Sequence, residues 1–286
     1  MNENIYLPPG SVSLSSVTER PQIRLGLQGY PKTGKTWAAL TFPNPIVLNL
    51  DRGLGAHVGK ANVHEIPMYA PAFVDSVVKR NGAVCPPNRK DAVTKWLSTE
   101  ALRLKRGQTL VIDGSTSLEL AHDTQFKLDD RPNSNGVYDQ WGVYKSKNVY
   151  FAEITTYLKS LECDVVYICH ETPDRNKNGD LNGLVRPLLA GQAGDKLAGE
   201  FTDWFRTNTI GKPKTPEEVE KFKKFFGLTA EGFKEWMDKS TTDTVYYWQT
   251  SGDDIAKCGS SSLVNAPKYV LADYTTFSKY LYSCLY

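Results

Sequence analysis

The sequence predicts an α/β protein: a mainly parallel sheet flanked by helices, with a small helical insertion and a C-terminal β-hairpin plus helix. Three observations carry this. Short apolar runs alternate with helix-period runs between Ile23 and Cys169. The apolar runs lack polar alternation, as expected where helices cover both faces of a parallel sheet. A glycine-containing segment, residues 29–36, links the first apolar run to the first helical one.

Residues 1–20 are polar, contain Pro8, Pro9 and Gly10 and show no sustained period, so an arm is expected there. The core then begins with a strand at Ile23–Leu27, a helix from Gly34 and a strand at Ile46–Leu50. A strand at Val63–Ile66, a helix across Ala72–Lys79 and another across Asp91–Leu104 follow. The strand Thr109–Ile112, a long helix within Tyr138–Leu161, the strand Asp164–Cys169 and the run Phe201–Thr207 complete the alternation.

The texture then changes. Thr215-Pro216-Glu217-Glu218 reads as a helix start, with a capping threonine, proline at the first position and acids in the first turn. Phe222, Phe225 and Phe226 give that helix an apolar face, and Phe233, Trp236 and Met237 give one to a second helix starting at Thr229. Val245–Thr250, a turn at Ser251–Asp254 and the run from Ile255 read as a β-hairpin, and Asp273 caps a closing helix reaching about Cys284. The expected divisions are 1–20 (arm), 21–212 (core), 213–240 (helical insertion) and 241–286 (hairpin and helix completing the core).

Of the 286 residues, 40% are hydrophobic and 23% charged, a composition that excludes a disordered or collagen-like chain. Lys and Arg (34) nearly balance Asp and Glu (32), so contacts to phosphates must come from local clusters. The five cysteines, Cys85, Cys163, Cys169, Cys258 and Cys284, have neither CxxC nor Cys/His ligand spacing and are expected to be reduced thiols. The longest apolar runs, such as Val165–Cys169, are too short to span a bilayer, and the N-terminus lacks a leader pattern. A cytoplasmic protein without a membrane partner is expected.

Gly29-Tyr30-Pro31-Lys32-Thr33-Gly34-Lys35-Thr36 matches GxxxxGK[ST] between a strand and a helix, the arrangement of a phosphate-binding P-loop. In that geometry the amides from Thr33 to Trp37 converge on a β-phosphate at a helix N-terminus. Lys35 would bridge the β- and γ-phosphates, and the Thr36 hydroxyl would hold Mg²⁺. Such a loop needs a carboxylate at the end of another strand for the metal, and Asp113, closing Leu110-Val111-Ile112, is the candidate. Asp51 ends a second strand and is the candidate general base, with Glu171 the runner-up. His170, after Val165–Cys169, sits where it could sense a γ-phosphate. The polar segment Glu171–Arg186 is expected to be a loop that contacts DNA through Arg175, Lys177 and Arg186, a solvated surface hairpin being the competing reading.

These motifs occur in a particular order: the P-loop, Leu50-Asp51-Arg52-Gly53, Leu110–Gly114, Trp141-Gly142-Val143-Tyr144, Ile168–Thr172 and Leu188–Thr207. That order resembles phage AAA-type nucleotide-binding proteins with a RecA-like core. It is similar above all to the Sak-type ATPases that accompany single-strand annealing and recombination. The resemblance covers Arg24 to Thr207 and returns at Asp254–Leu281; its specific part pairs Tyr138-Asp139-Gln140-Trp141-Gly142 with a strand ending in His170-Glu171. It implies an ATP- and Mg-dependent, oligomeric ATPase, a ring or filament, that acts with single-stranded DNA and an annealing or replication protein in the host cytoplasm. It also implies roles for Asp51 in activating water, for His170 in sensing the γ-phosphate and for Thr172–Arg186 in touching DNA. Two departures stand out. Gly53 follows Arg52 where relatives carry a second acid, and of the Lys-x-Arg by which relatives reach a neighbour's ATP only the lysine, Lys257, is kept, followed by Cys258 and Gly259. The competing reading is a nucleotide-gated interaction module with weak ATPase activity, docking a partner on the 215–239 insertion.

Overall fold

The computed structural model describes residues 22–68, 79–80, 83–84, 89–129, 139–175, 178–189, 197–239, 242–253, 256, 258–263 and 265–282. The expected arm, most of the Ala72–Lys79 helix, Tyr138, Lys177, Lys257, Cys85 and Cys284 lie outside the described residues.

The spine is a parallel sheet with its strands in the order β3 (His64–Pro67), β2 (Pro45–Asn49), β6 (Thr109–Asp113), β7 (Asp164–Arg175), β1 (Arg24–Gly29), β9 (Asp203–Gly211). Beyond β9 the sheet turns antiparallel through β10 (Thr244–Gln249) and β12 (Tyr269–Leu271). The strand that feeds the glycine-containing loop, β1, is therefore central, and one strand, β7, separates it from the Asp113 strand.

Side-chain alternation along the strands sorts the core into two layers. Leu25, Leu27, Val47, Val111, Val166, Ile168 and Phe205 face α1 (Lys35–Ala39) and α7 (Tyr274–Tyr282), where Ala38, Ala39, Phe277 and Leu281 are buried with them. Leu48, Leu110, Ile112, Val165, Tyr167 and Trp204 face the other way. There they are buried with Val93 and Leu97 of α2 (Arg89–Thr99), Leu118 of α3 (Ser115–Asp129) and Ile154 and Leu158 of α4 (Gln140–Ser160). This is the expected α/β class, and the continuous apolar strands follow from coverage on both faces.

Helix α5 (Pro216–Phe226) starts as read, with a capping box: the Thr215 hydroxyl accepts from the Glu218 amide while the Glu218 carboxylate accepts from the Thr215 amide. With α6 (Ala230–Lys239) it packs Phe222 and Phe226 against Val245 and Leu271, so much of the insertion's aromatic face serves its own packing. Asp273 caps α7, accepting from the Thr276 amide at 2.8 Å.

Three expectations are corrected, and one helix is added. Lys79, taken as the end of a helix, starts a two-residue strand, β4 (Lys79–Arg80), paired with β5 (Ala83–Val84). The strand ending at Cys169 runs on to Arg175 and folds back as β8 (Leu181–Pro187), so the expected loop Thr172–Arg186 is largely a β-hairpin. Among the described residues β10 pairs antiparallel with β9 and β12, while after the turn Ala256 bridges to Val185 and β11 (Gly259–Ser260) pairs with β9. Helix α3 was not expected at all. It escapes a hydrophobic-period reading because its buried face carries Glu119 and His122, whose partners are polar. Lys147 of α4, itself buried, donates to Glu119 Oε1 at 2.7 Å and to Asp123 Oδ2 at 2.8 Å, and His122 Nε2 lies 3.1 Å from Ser146 Oγ.

Candidate nucleotide site

Four strands, β1, β2, β6 and β7, bring the expected residues together on the α1 side of the sheet. Gly29, Asp113 and His170 continue the rows of Leu27, Val111 and Ile168, and Asp51 lies in phase with Val47 and Asn49, two residues past the end of β2. Register puts Gly29 beside His170 and Asn49 beside Asp113.

Between β1 and α1 the loop turns through two positive-φ residues, Lys32 (66°) and Gly34 (84°), and α1 begins at Lys35. The first amides of a helix have no intrahelical acceptor, so those after Gly34 are available to an anion. Lys35 is buried, and its ammonium donates to the carbonyls of Gly29 (2.8 Å) and Tyr30 (2.7 Å). Burial lowers its pKa, an effect that Cys169, Asp113 and Glu171 oppose.

The Thr36 hydroxyl donates to Asp113 Oδ2 at 2.9 Å, bringing the last residue of the loop motif onto the strand-end carboxylate 77 positions away. Burial pushes the Asp113 carboxyl up to about 6, with Asp51 adding to the rise and the Thr36 hydroxyl and Lys35 opposing it. A carboxylate held this way, paired with a hydroxyl on a neighbouring element, suits a hard divalent cation that takes oxygen ligands. Thr36 and Asp113 are thus the residues that could hold Mg²⁺.

Asp51 is exposed, and three hydrogen bonds tie it and the residue before it in place. The Ser117 hydroxyl donates to its Oδ1, its amide donates to Asn49 Oδ1 at 3.2 Å, and the Leu50 amide donates to the Asp113 carbonyl at 2.9 Å. Gly114 leaves room for it: at φ 111°, a Cβ there would lie 2.6 Å from Asp51 Oδ1. His170 is half-buried, and its buried Nδ1 has no partner among the described residues. Burial and the nearby Lys35 hold the imidazole below its ordinary pKa, against the pull of Asp51 and a Gly29 backbone contact.

Glu171 is placed differently. Its side chain follows the opposite row, with Tyr167 and Cys169, and both its oxygens accept from Arg206 of β9: Nε to Oε2 at 2.9 Å and Nη2 to Oε1 at 2.8 Å. Glu171 is buried and Arg206 partly so, and sequence reading missed Arg206 because nothing local links it to a residue 35 positions earlier. Within the β7–β8 hairpin, Arg175 donates to the Gly179 carbonyl at 2.6 Å, and Arg186 lies 3.2 Å from Asp174.

The family model described as AAA domain matches residues 22–230. The chain belongs to the AAA domain family. The match spans the loop at 29–36, Asp51, Asp113 and His170, and it supports a nucleotide-binding P-loop fold for this AAA domain chain. Among solved structures, the crystal structure of the RadB recombinase matches it with 9% sequence identity and a TM-score of 0.33, over 66% of this chain and 76% of that one. No curated protein matches the sequence. Among the described residues no helix is long and apolar enough to cross a membrane, and no group of three or more His, Cys, Asp and Glu side chains that could hold a metal ion is found.

Proposed function

We propose that this AAA domain chain binds ATP with Mg²⁺ on the loop 29–36 and hydrolyses it. The observation that carries the reading is the 2.9 Å contact between the Thr36 hydroxyl and Asp113, with the Lys35 ammonium lodged beside them on the loop carbonyls. Lys35 exchanges the Gly29 and Tyr30 carbonyls for β- and γ-phosphate oxygens, which offer full charges where the carbonyls offer dipoles. Thr36 and Asp113 hold the cation, which when bound neutralises charge on the β- and γ-phosphates. Asp51, steadied by Ser117, accepts a hydrogen bond from the attacking water, and His170 donates from its buried ring to the γ-phosphate. Glu171 has neither a free oxygen nor the right side of the sheet for the role of base.

The resemblance to phage Sak-type proteins extends the reading to recombination, single-strand annealing or replication, with oligomeric assembly and a cation from Lys257 of a neighbouring copy. The β7–β8 hairpin springs from the γ-phosphate edge and carries Arg175 and Arg186, which supports it as the element that meets single-stranded DNA. A competing reading, a nucleotide-gated docking module, draws support from a cavity of about 440 Å³ on the insertion, lined by Ile210, Pro213, Phe222 and Phe225 with Lys212 and Lys214. Phosphate release measured with and without Mg²⁺, and with and without single-stranded DNA, separates them. Mg-dependent turnover that DNA raises supports the DNA-dependent ATPase; Mg-dependent turnover indifferent to DNA favours the docking module; no turnover removes hydrolysis.

A further inference from the structure

The start of α1 directly follows the loop 29–36, where a nucleoside triphosphate held on the amides of Thr33–Trp37 would have its phosphates. Three elements meet there. Trp37, the residue after Thr36, packs on Tyr246 of β10 with ring centroids 5.5 Å apart and planes inclined by 39°. Tyr246 also lies directly over the loop: a Cβ on Gly34, whose φ is 84°, would fall 2.3 Å from its Cδ1. From the chain after β2, the Lys60 ammonium stands 5.8 Å from the Trp37 ring centroid. Trp37 is 38% exposed and Tyr30, at the entry to the same loop, is 40% exposed. Core packing accounts for Tyr246, which rests against the α1-side layer, but Trp37 is not among the side chains of that layer. A large indole left partly in water beside a phosphate cradle is apolar surface that a planar ligand can cover.

We propose that Trp37 and Tyr246 form the nucleobase platform of this chain, and that it selects nucleotides by stacking on a purine. The inference rests on the loop 29–36 being the phosphate site. Every base has a π-face, so stacking accepts adenine and guanine alike and favours either over the smaller pyrimidines. An exposed ammonium over an indole is held less strongly than a stacked base, so an arriving base takes the ring face from Lys60.

Calorimetric titration of the full chain with ATP, CTP and inorganic tripolyphosphate, each with Mg²⁺, tests this on the wild type, Trp37→Ala, Trp37→Phe and Lys35→Ala. The expected result is ATP binding about tenfold or more tighter than tripolyphosphate, with CTP between. Trp37→Ala, which keeps the backbone amide, should weaken ATP far more than tripolyphosphate and so erase the preference for ATP, and Trp37→Phe should keep most of it. Equal affinity of the wild type for ATP and tripolyphosphate, or equal weakening of both by Trp37→Ala, overturns the platform while leaving the phosphate site standing. A wild type that binds neither ligand, or a Lys35→Ala chain that binds both as tightly as the wild type, overturns the phosphate site and the platform with it.

Discussion

Arg206 of β9 grips both carboxylate oxygens of Glu171 across the sheet, and by strand alternation both side chains follow the rows of Trp204 and Cys169, opposite to that of His170. The pair ties β7, where it becomes the hairpin, to β9. Removing the guanidinium strands a buried carboxylate, so Arg206→Ala should lose about 3–5 kcal/mol of folding stability, read by chemical denaturation. A loss below about 1 kcal/mol would mean that the pair is solvated. Glu171→Gln, which keeps the shape, should retain turnover; abolished turnover with an intact fold would return Glu171 to the chemistry.

Asp51 is left as the carboxylate free to meet water on the loop side. Asp51→Asn should lower kcat by roughly 10²- to 10⁴-fold with little change in KM, the pattern of a group acting in the transition state. Ser117→Ala should lower kcat less, because it loosens the carboxylate without removing it. Steady-state phosphate release checks both, and an Asp51→Asn chain with wild-type kcat would move the base elsewhere.

Gly114 shapes the same corner. At φ 111°, with a Cβ position 2.6 Å from Asp51 Oδ1, Gly114→Ala is strained in its backbone and displaces the carboxylate. It should cost on the order of 1–3 kcal/mol of stability and reduce kcat along with it. Thermal unfolding with a turnover assay tests this, and a variant normal in both would show that the turn relaxes.

The Asp113 carboxyl titrates in the fold at about 6, above its unfolded value of 3.8. The folded state therefore holds the proton more tightly, so this group's stabilisation is full below about pH 4 and is lost as pH rises through about 6. Asp113→Asn removes that loss while keeping an oxygen for the Thr36 hydroxyl. Without metal or nucleotide, the variant should match the wild type near pH 4 and exceed it by roughly 3 kcal/mol at pH 8. A gap independent of pH would contradict the assignment.

How much of this was legible in the sequence differs by element. Gly29–Thr36, Asp51, Asp113 and His170 could be read because each closes an apolar strand, and strand period alone sends Asp113 and His170 to one side of the sheet. Arg206 could not be read, since its partner is set by which strands flank β1 and β7, a tertiary fact. Helix α3 was hidden because Glu119 and His122 face inward to Lys147 and Ser146, so its buried stripe is not apolar. Between a DNA-contacting loop and a surface hairpin the sequence could not decide, because β7 leaves the sheet core after Glu171 and its exposed continuation has polar residues where a buried strand would have apolar ones. Tyr246 lies 210 residues beyond Thr36, and only the sheet order brings it to the loop.

The central claim is that Lys35 lies in a phosphate cradle. Calorimetric titration of Mg-ATP into the wild type and into Lys35→Ala, with both folds checked by circular dichroism, tests it most directly. The account predicts one site on the wild type and an affinity at least about 100-fold weaker in the variant, because the cation removed is the one lodged in the loop. Equal affinity of the two chains for Mg-ATP would contradict it.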